Sequence, residues 1–115
     1  MELFKKLFGQ NSSSASLSAQ EAEPRLKEFL VLDVRQPAEF QVGHIASAKL
    51  IPLDKLNQRL NELPKDKTIL CVCRSGARSG VAVRQLQSAG YDAINLRGGM
   101  AAWQRAGLAV KKGTR

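Results

Sequence analysis

The segment Cys73-Arg74-Ser75-Gly76-Ala77-Arg78-Ser79 concentrates the residue types in this chain that can do chemistry. It follows directly on an apolar run, Thr68–Cys73 (TILCVC), and leads into a helical pattern. A thiol that ends a strand and is followed by a short loop and a helix start faces backbone N–H groups when the loop curls back. Such a nest stabilises anions and lowers a thiol's pKa. Arg74 and Arg78 add positive charge, and the same groups would hold an oxyanion against the sulfur. A thiolate activated by such a field needs no histidine base. A cysteine after an apolar strand is ordinarily a buried hydrophobe. The glycine, two serines and two arginines beside Cys73 point instead to a nucleophile.

The remaining candidates are few. Cys71 lies inside the same run, which makes the pair C-x-C and not a C-x-x-C redox motif; it reads as a core thiol rather than a resolving partner. Two cysteines and one histidine, His44, cannot supply the four protein ligands of a zinc site. A multi-histidine relay is excluded on the same count. No metal and no cofactor is expected.

The scaffold that positions the loop is legible in the apolar pattern. Phe29–Val34 (FLVLDV), Thr68–Cys73 and Ala93–Leu96 are apolar runs without alternation, as in strands buried on both faces. Ala48–Ile51 is a shorter strand, stopped by Pro52. Ser18-Ala-Gln-Glu21 is a capping-box pattern that opens a helix, which Pro24 breaks or restarts. Pro37–Phe40 suits a helical turn. Leucines 53, 56, 60 and 63 predict an amphipathic helix over Leu53–Leu63. Further helices are expected over Gly80–Ala89, with Arg74–Ser79 left as loop, and over Met100–Ala106. Strands alternating with helices imply an α/β fold with a mostly parallel sheet covered on both sides. In such sheets ligands bind beyond the carboxyl ends of the strands. That places Asp33-Val34-Arg35, the Cys73 loop and Arg97-Gly98-Gly99 at one rim.

With 115 residues and 43% apolar composition the chain suits one globular domain. No apolar run approaches the roughly 20 residues of a membrane span, so integral membrane association is not expected. Two cysteines suit a reducing compartment, hence a cytoplasmic location. The expected layout is an amphipathic arm and Ser-rich linker over 1–16, a domain over 17–110 and a basic tail over 111–115. Met1–Phe8 fits either a frayed tail or a weak peripheral contact with a membrane or partner.

The net charge of +8 first suggests a polyanion partner, but its distribution argues otherwise. The two ends carry half of it. Gly9–Leu70 is balanced, whereas Cys71–Val110 holds five arginines against Asp92 alone. The charge with assigned chemistry is thus a local anion trap around Cys73. Six aromatic residues with no aromatic-and-basic stripe give no nucleic-acid surface.

In order along the chain, Asp33-Val34-Arg35, Glu39-Phe40, Gly43-His44-Ile45, Ile51-Pro52-Leu53, Cys73 through Ser79, Gly90-Tyr91 and Leu96-Arg97-Gly98-Gly99-Met100 with Trp103 resemble the rhodanese family. The resemblance runs from about Leu17 to Val110. It implies a rhodanese-like fold, a central parallel five-stranded sheet flanked by helices on both faces. It implies a sulfurtransferase in which Cys73 takes a sulfane sulfur from a small anionic donor such as thiosulfate. The resulting persulfide would pass sulfur to cyanide or to a thiol, including a protein thiol. The amides of Arg74, Ser75, Gly76, Ala77, Arg78 and Ser79 would cradle the persulfide and donor, with Arg74 and Arg78 drawing in the anion. Asp33 and Arg35 would support the site, and His44 would fix a loop by hydrogen bonding. A persulfide carrier or regulatory module serving a protein partner is the alternative. Phosphatases and arsenate reductases of the same fold need Cys-x5-Arg; here Arg78 comes one residue too early.

Overall fold

The two longest apolar runs form neighbouring inner strands of the sheet. In the computed structural model, which describes residues 15–114, Phe29–Asp33 forms β2 and Thr68–Val72 forms β4. The expected arm, Met1–Phe8, lies outside the described residues. The other strands are β1 (Ser16–Leu17), β3 (Lys49–Leu50) and β5 (Ala93–Leu96). The sheet order is β1-β5-β4-β2-β3 and every pairing is parallel. Phe29 stands opposite Thr68 and Asp33 opposite Val72, so β2 and β4 end at the same level.

Side chains alternate across the sheet, and both faces are covered. Ile69, Cys71 and Cys73 point with Leu32 and Val34 toward Ala82, Val83 and Leu86 of α3 (Ala77–Ser88). Leu70, Val72 and Val31 point the other way, toward α1 (Ala19–Ala22) and α4 (Gly99–Arg105), where Met100 and Trp103 are buried. Burial on both sides is why these strands lack alternation. Each fully buried leucine such as Leu86 contributes roughly 1.5–3 kcal/mol.

Three elements depart from the sequence expectations. β1, the fifth strand, lies where a linker gives way to a helix and was not legible from the residues. Two residues are too few to show a period, and β1 is a strand only because β5 offers it an edge, pairing Ser16 with Asn95. Leu53–Leu63 is not an α-helix but two 3₁₀ turns, Leu53–Gln58 and Leu60–Glu62. The leucines fall in pairs three apart, 53/56 and 60/63, which suits i→i+3 bonding, and the chain breaks at Arg59 (φ −124°). Finally, α3 opens at Ala77 rather than Gly80.

The capping box does form: Ser18 Oγ accepts from the Glu21 N–H at 3.1 Å and Glu21 Oε1 accepts from the Ser18 N–H at 2.8 Å. Pro24 then turns the chain into a 3₁₀ segment, Glu23–Glu28. Near the other terminus, the backbone of Lys111 exchanges bonds of 2.9 and 2.8 Å with His44. No helix among the described residues is long and apolar enough to cross a membrane.

Candidate active site

β4 delivers Cys73 to the carboxyl rim of the sheet, and a loop of only three residues separates it from α3. Gly76 makes this possible with φ +105°, a left-handed conformation that costs glycine little. The turn aims the first amides of α3 at the sulfur. The Gly76 N–H donates to Cys73 Sγ at 3.1 Å, and Ser79 Oγ lies 3.4 Å from the same sulfur. Cys73 is only 1% exposed, and burial by itself pushes its thiol up. The Ser79 hydroxyl and the amides of Ser79, Gly76 and Ser75 outweigh that, so the thiol titrates below the ordinary range. Ala77, Arg78 and Ser79, expected as loop, form the first turn of this helix and bring its positive end to the sulfur. Cys71 is the opposite case. Burial, helped by the nearby Cys73 charge, pushes its thiol far up, and it is a buried core residue as expected.

A second helix start holds the loop from behind. The Met100 N–H donates to the Cys73 carbonyl at 2.8 Å and the Ala101 N–H to the Arg74 carbonyl at 2.9 Å. Gly99, at φ +58°, lies so close that a Cβ there would stand 2.6 Å from the Arg74 carbonyl oxygen.

The two loop arginines separate in role. Arg78 is held in a two-pronged ion pair with Glu39 of α2 (Pro37–Val42), at 2.8 and 2.9 Å. The Arg78 guanidinium holds the Glu39 carboxyl down to about 2. Arg78 therefore ties α2 to α3 with its charge already matched. Arg74 is exposed and makes no ion pair among the described residues. It lines a cleft of about 370 Å³ with Arg35, Glu39, Val42 and Met100. A larger cavity of about 600 Å³ opens at the amino ends of β2 and β4, beside Phe29 and Lys67, and holds none of the expected site residues.

Asp33 and Arg35 form a buried pair at the end of β2. The Arg35 Nε and Nη2 atoms donate to Asp33 at 2.9 and 2.8 Å, and Nη2 also donates to the Gly43 carbonyl at 2.8 Å. The pair clamps the segment that leaves α2. His44 follows it, its Nδ1 donating to the Phe40 carbonyl at 2.7 Å and its ring stacked on Phe40 at 3.6 Å. That nitrogen carries the proton, and the ring fixes the loop. No group of His/Cys/Asp/Glu able to hold a metal ion occurs among the described residues.

A family profile described as the rhodanese-like domain matches residues 15–106. The chain belongs to the rhodanese-like family. A curated sulfurtransferase from Allochromatium vinosum is 42% identical over 98 residues, covering 84% of this chain and 90% of that protein. The crystal structure of a rhodanese-related protein from Thermoplasma volcanium superposes with a TM-score of 0.82 at 33% identity, covering 84% of this chain and 97% of that one. A rhodanese-like domain protein from Staphylococcus aureus gives 0.76 at 38% identity, covering 84% and 98%. The rhodanese-like fold and the sulfurtransferase class follow from these matches.

Within this rhodanese-like site, sequence reasoning passed over two residues. Glu39 carried no assigned role, and its partner lies 39 positions away. Asn95 was read only as part of an apolar strand, yet it bonds both Ser79 Oγ, at 2.6 Å, and the Gly76 carbonyl, at 3.1 Å. A polar residue inside the run Ala93–Leu96 was the available signal.

The nest makes a direct prediction. Thiolate is the alkylated form, so a lowered thiol pKa extends reactivity to lower pH. In a Cys71→Ala variant, the midpoint of Cys73 alkylation is expected below about 8.5, the free-thiol value. A midpoint at or above that value would contradict the described hydrogen bonding.

Proposed function

We propose that this rhodanese-like domain moves a sulfane sulfur from a small anionic donor such as thiosulfate, through a persulfide on Cys73, to a thiol or cyanide acceptor. The observation that carries the reading is the buried Cys73 sulfur at the start of a 12-residue helix, 3.1 Å from the Gly76 amide. The Cys73 thiolate attacks the outer sulfur of thiosulfate. A new S–S bond forms, the old one breaks, and sulfite leaves with the bonding electron pair. The acceptor then attacks the outer sulfur of the persulfide, forming thiocyanate or a new persulfide and returning the Cys73 thiolate. Atoms and electrons balance without a cofactor, and the scheme is covalent catalysis of the ping-pong type. The curled amides support the charge that moves onto the outer sulfur.

Loop size supports sulfur over phosphorus. The loop has three residues before its helix, and its second arginine already pairs with Glu39, which leaves no free guanidinium at the far side to embrace a tetrahedral phosphoryl group. Mass spectrometry of the protein after thiosulfate treatment tests the reading: a gain of about 32 Da, one sulfur, is expected on Cys73. No gain, or efficient cleavage of an aryl phosphate, would defeat it.

The arginines are expected to act through different parameters. Arg74→Ala should raise KM for thiosulfate several-fold with little loss of stability, since Arg74 is exposed and unpaired. Arg78→Ala should lower thermal stability slightly as well, because it unties α2 from α3 and leaves Glu39 with only the Gln36 N–H. Equal behaviour of both variants would show that the Glu39 pairing has no such effect.

A further inference from the structure

Ser79 Oγ carries one proton and meets two acceptors. It lies 2.6 Å from Asn95 Oδ1 and 3.4 Å from Cys73 Sγ. Asn95 cannot change the atom it presents. Its Nδ2 donates to the Gly76 carbonyl at 3.1 Å, and a carbonyl only accepts, so the amide oxygen is held toward Ser79. While the Ser79 proton bonds Asn95, the hydroxyl turns its lone pairs to Cys73. That suits a thiol S–H and opposes a thiolate. When Cys73 ionises, the proton must rotate off Asn95 to reach the sulfur.

Asn95 is placed to tolerate that exchange. It stands on β5 in register with Cys71, beneath the first turn of α3, where it bonds Ser79 and Gly76. It also lines a depression of about 320 Å³ with Gly80, Arg84 and Arg97. Solvent entering there can satisfy Oδ1 when the hydroxyl turns away.

We propose that Asn95 is a positioning residue that acts through Ser79, holding the hydroxyl proton while Cys73 is protonated or carries sulfur and releasing it to the free thiolate. The direction of the Ser79 bond then follows the charge on the sulfur through the reaction. On the persulfide, charge moves to the outer sulfur, which frees the proton to return to Asn95. The other charged or titratable groups around Cys73 are Arg74 on its own loop, Arg78 on α3 with Glu39 of α2 against it, the Asp33–Arg35 pair from β2, and Cys71 on β4. None of them bonds Asn95, so substitutions at 79 and 95 leave them in place.

The inference rests on the reading of Cys73 as the reactive thiol, and its test does not require sulfur to move. The pH dependence of Cys73 alkylation by iodoacetamide is compared in the parent chain, Asn95→Ala, Ser79→Ala and the double variant. Asn95→Ala frees the Ser79 proton for the thiolate, so the midpoint should fall by about 0.5–1 unit, a threefold to tenfold gain in thiolate at low pH. Ser79→Ala removes a donor and should raise it. The double variant should match Ser79→Ala alone. The proposal is overturned if Asn95→Ala leaves the midpoint unchanged or raises it, or if its effect survives without Ser79. Should Asn95→Ala lose a cooperative thermal transition, Asn95→Val, which favours a strand, takes its place in the same comparison. Absence of the thiosulfate mass gain would count against the proposed sulfur transfer and leave this comparison standing.

Discussion

Replacement of Cys73 by serine is expected to abolish the thiosulfate mass gain and to lower turnover by a factor on the order of 10³ or more, while the chain still folds. Serine keeps the size of the side chain, and its hydroxyl can accept from the Gly76 amide that now meets the sulfur at 3.1 Å. What disappears is the nucleophile. An alcohol is not ionised by a nest strong enough to ionise a thiol, and it forms no S–S bond. The companion Cys71→Ser should behave in the opposite way. Cys71 is fully buried among Leu32, Ile69 and Leu86, so a hydroxyl there is desolvated without a designed partner and costs about 1–3 kcal/mol. Turnover per folded molecule should survive. Two cysteines separated by one residue would thus divide into one that carries reaction and one that carries stability. Retained turnover in Cys73→Ser would remove Cys73 from the centre of the mechanism, and loss of turnover in a folded Cys71→Ser would bring Cys71 into it.

Gly99→Ala is the second large effect. The backbone there sits at φ +58°, and an added Cβ meets the Arg74 carbonyl oxygen at 2.6 Å. That contact is with backbone, which cannot swing aside as the end of a side chain can. Strain and clash together should cost roughly 3 kcal/mol, a fall in Tm on the order of 10–20 °C for a domain of this size. Activity should fall further than the folded fraction does. Relief of the clash moves α4 away, and α4 supplies the Met100 and Ala101 amides that hold the Cys73 and Arg74 carbonyls at 2.8 and 2.9 Å. Thermal unfolding and turnover measured on the same preparation separate the two effects. An unchanged Tm would mean that α4 does not clamp the loop.

The order of elements and the place of Cys73 at the rim of the sheet were open to inspection in the chain. Apolar runs without alternation mark strands buried on both faces, and Gly76 between a strand and a helical pattern marks a tight turn. These signals are local: a strand's burial shows in its own residues, and a left-handed turn shows as its own glycine. The same locality explains the misjudged start of α3. Ala77, Arg78 and Ser79 carry loop-like composition, and only the turn at Gly76 makes them helical. It also explains Leu53–Leu63, where steps of three and four suit two kinds of helix and packing chose the tighter one.

What the chain by itself determined is therefore the doubly covered parallel sheet, the rim at which its strands end, and the cysteine, Cys73, that stands there. The tertiary structure alone decided what surrounds that residue. It spent the charge of Arg78 on Glu39, left Arg74 facing the cleft, and brought Asn95 under Ser79 from another strand. The thiol and the N–H and O–H groups that meet it lie within seven consecutive residues, but the ion pair and the side-chain amide packed behind them join segments 16 to 39 positions apart. Such pairings exist only once the sheet has set the distances between strands.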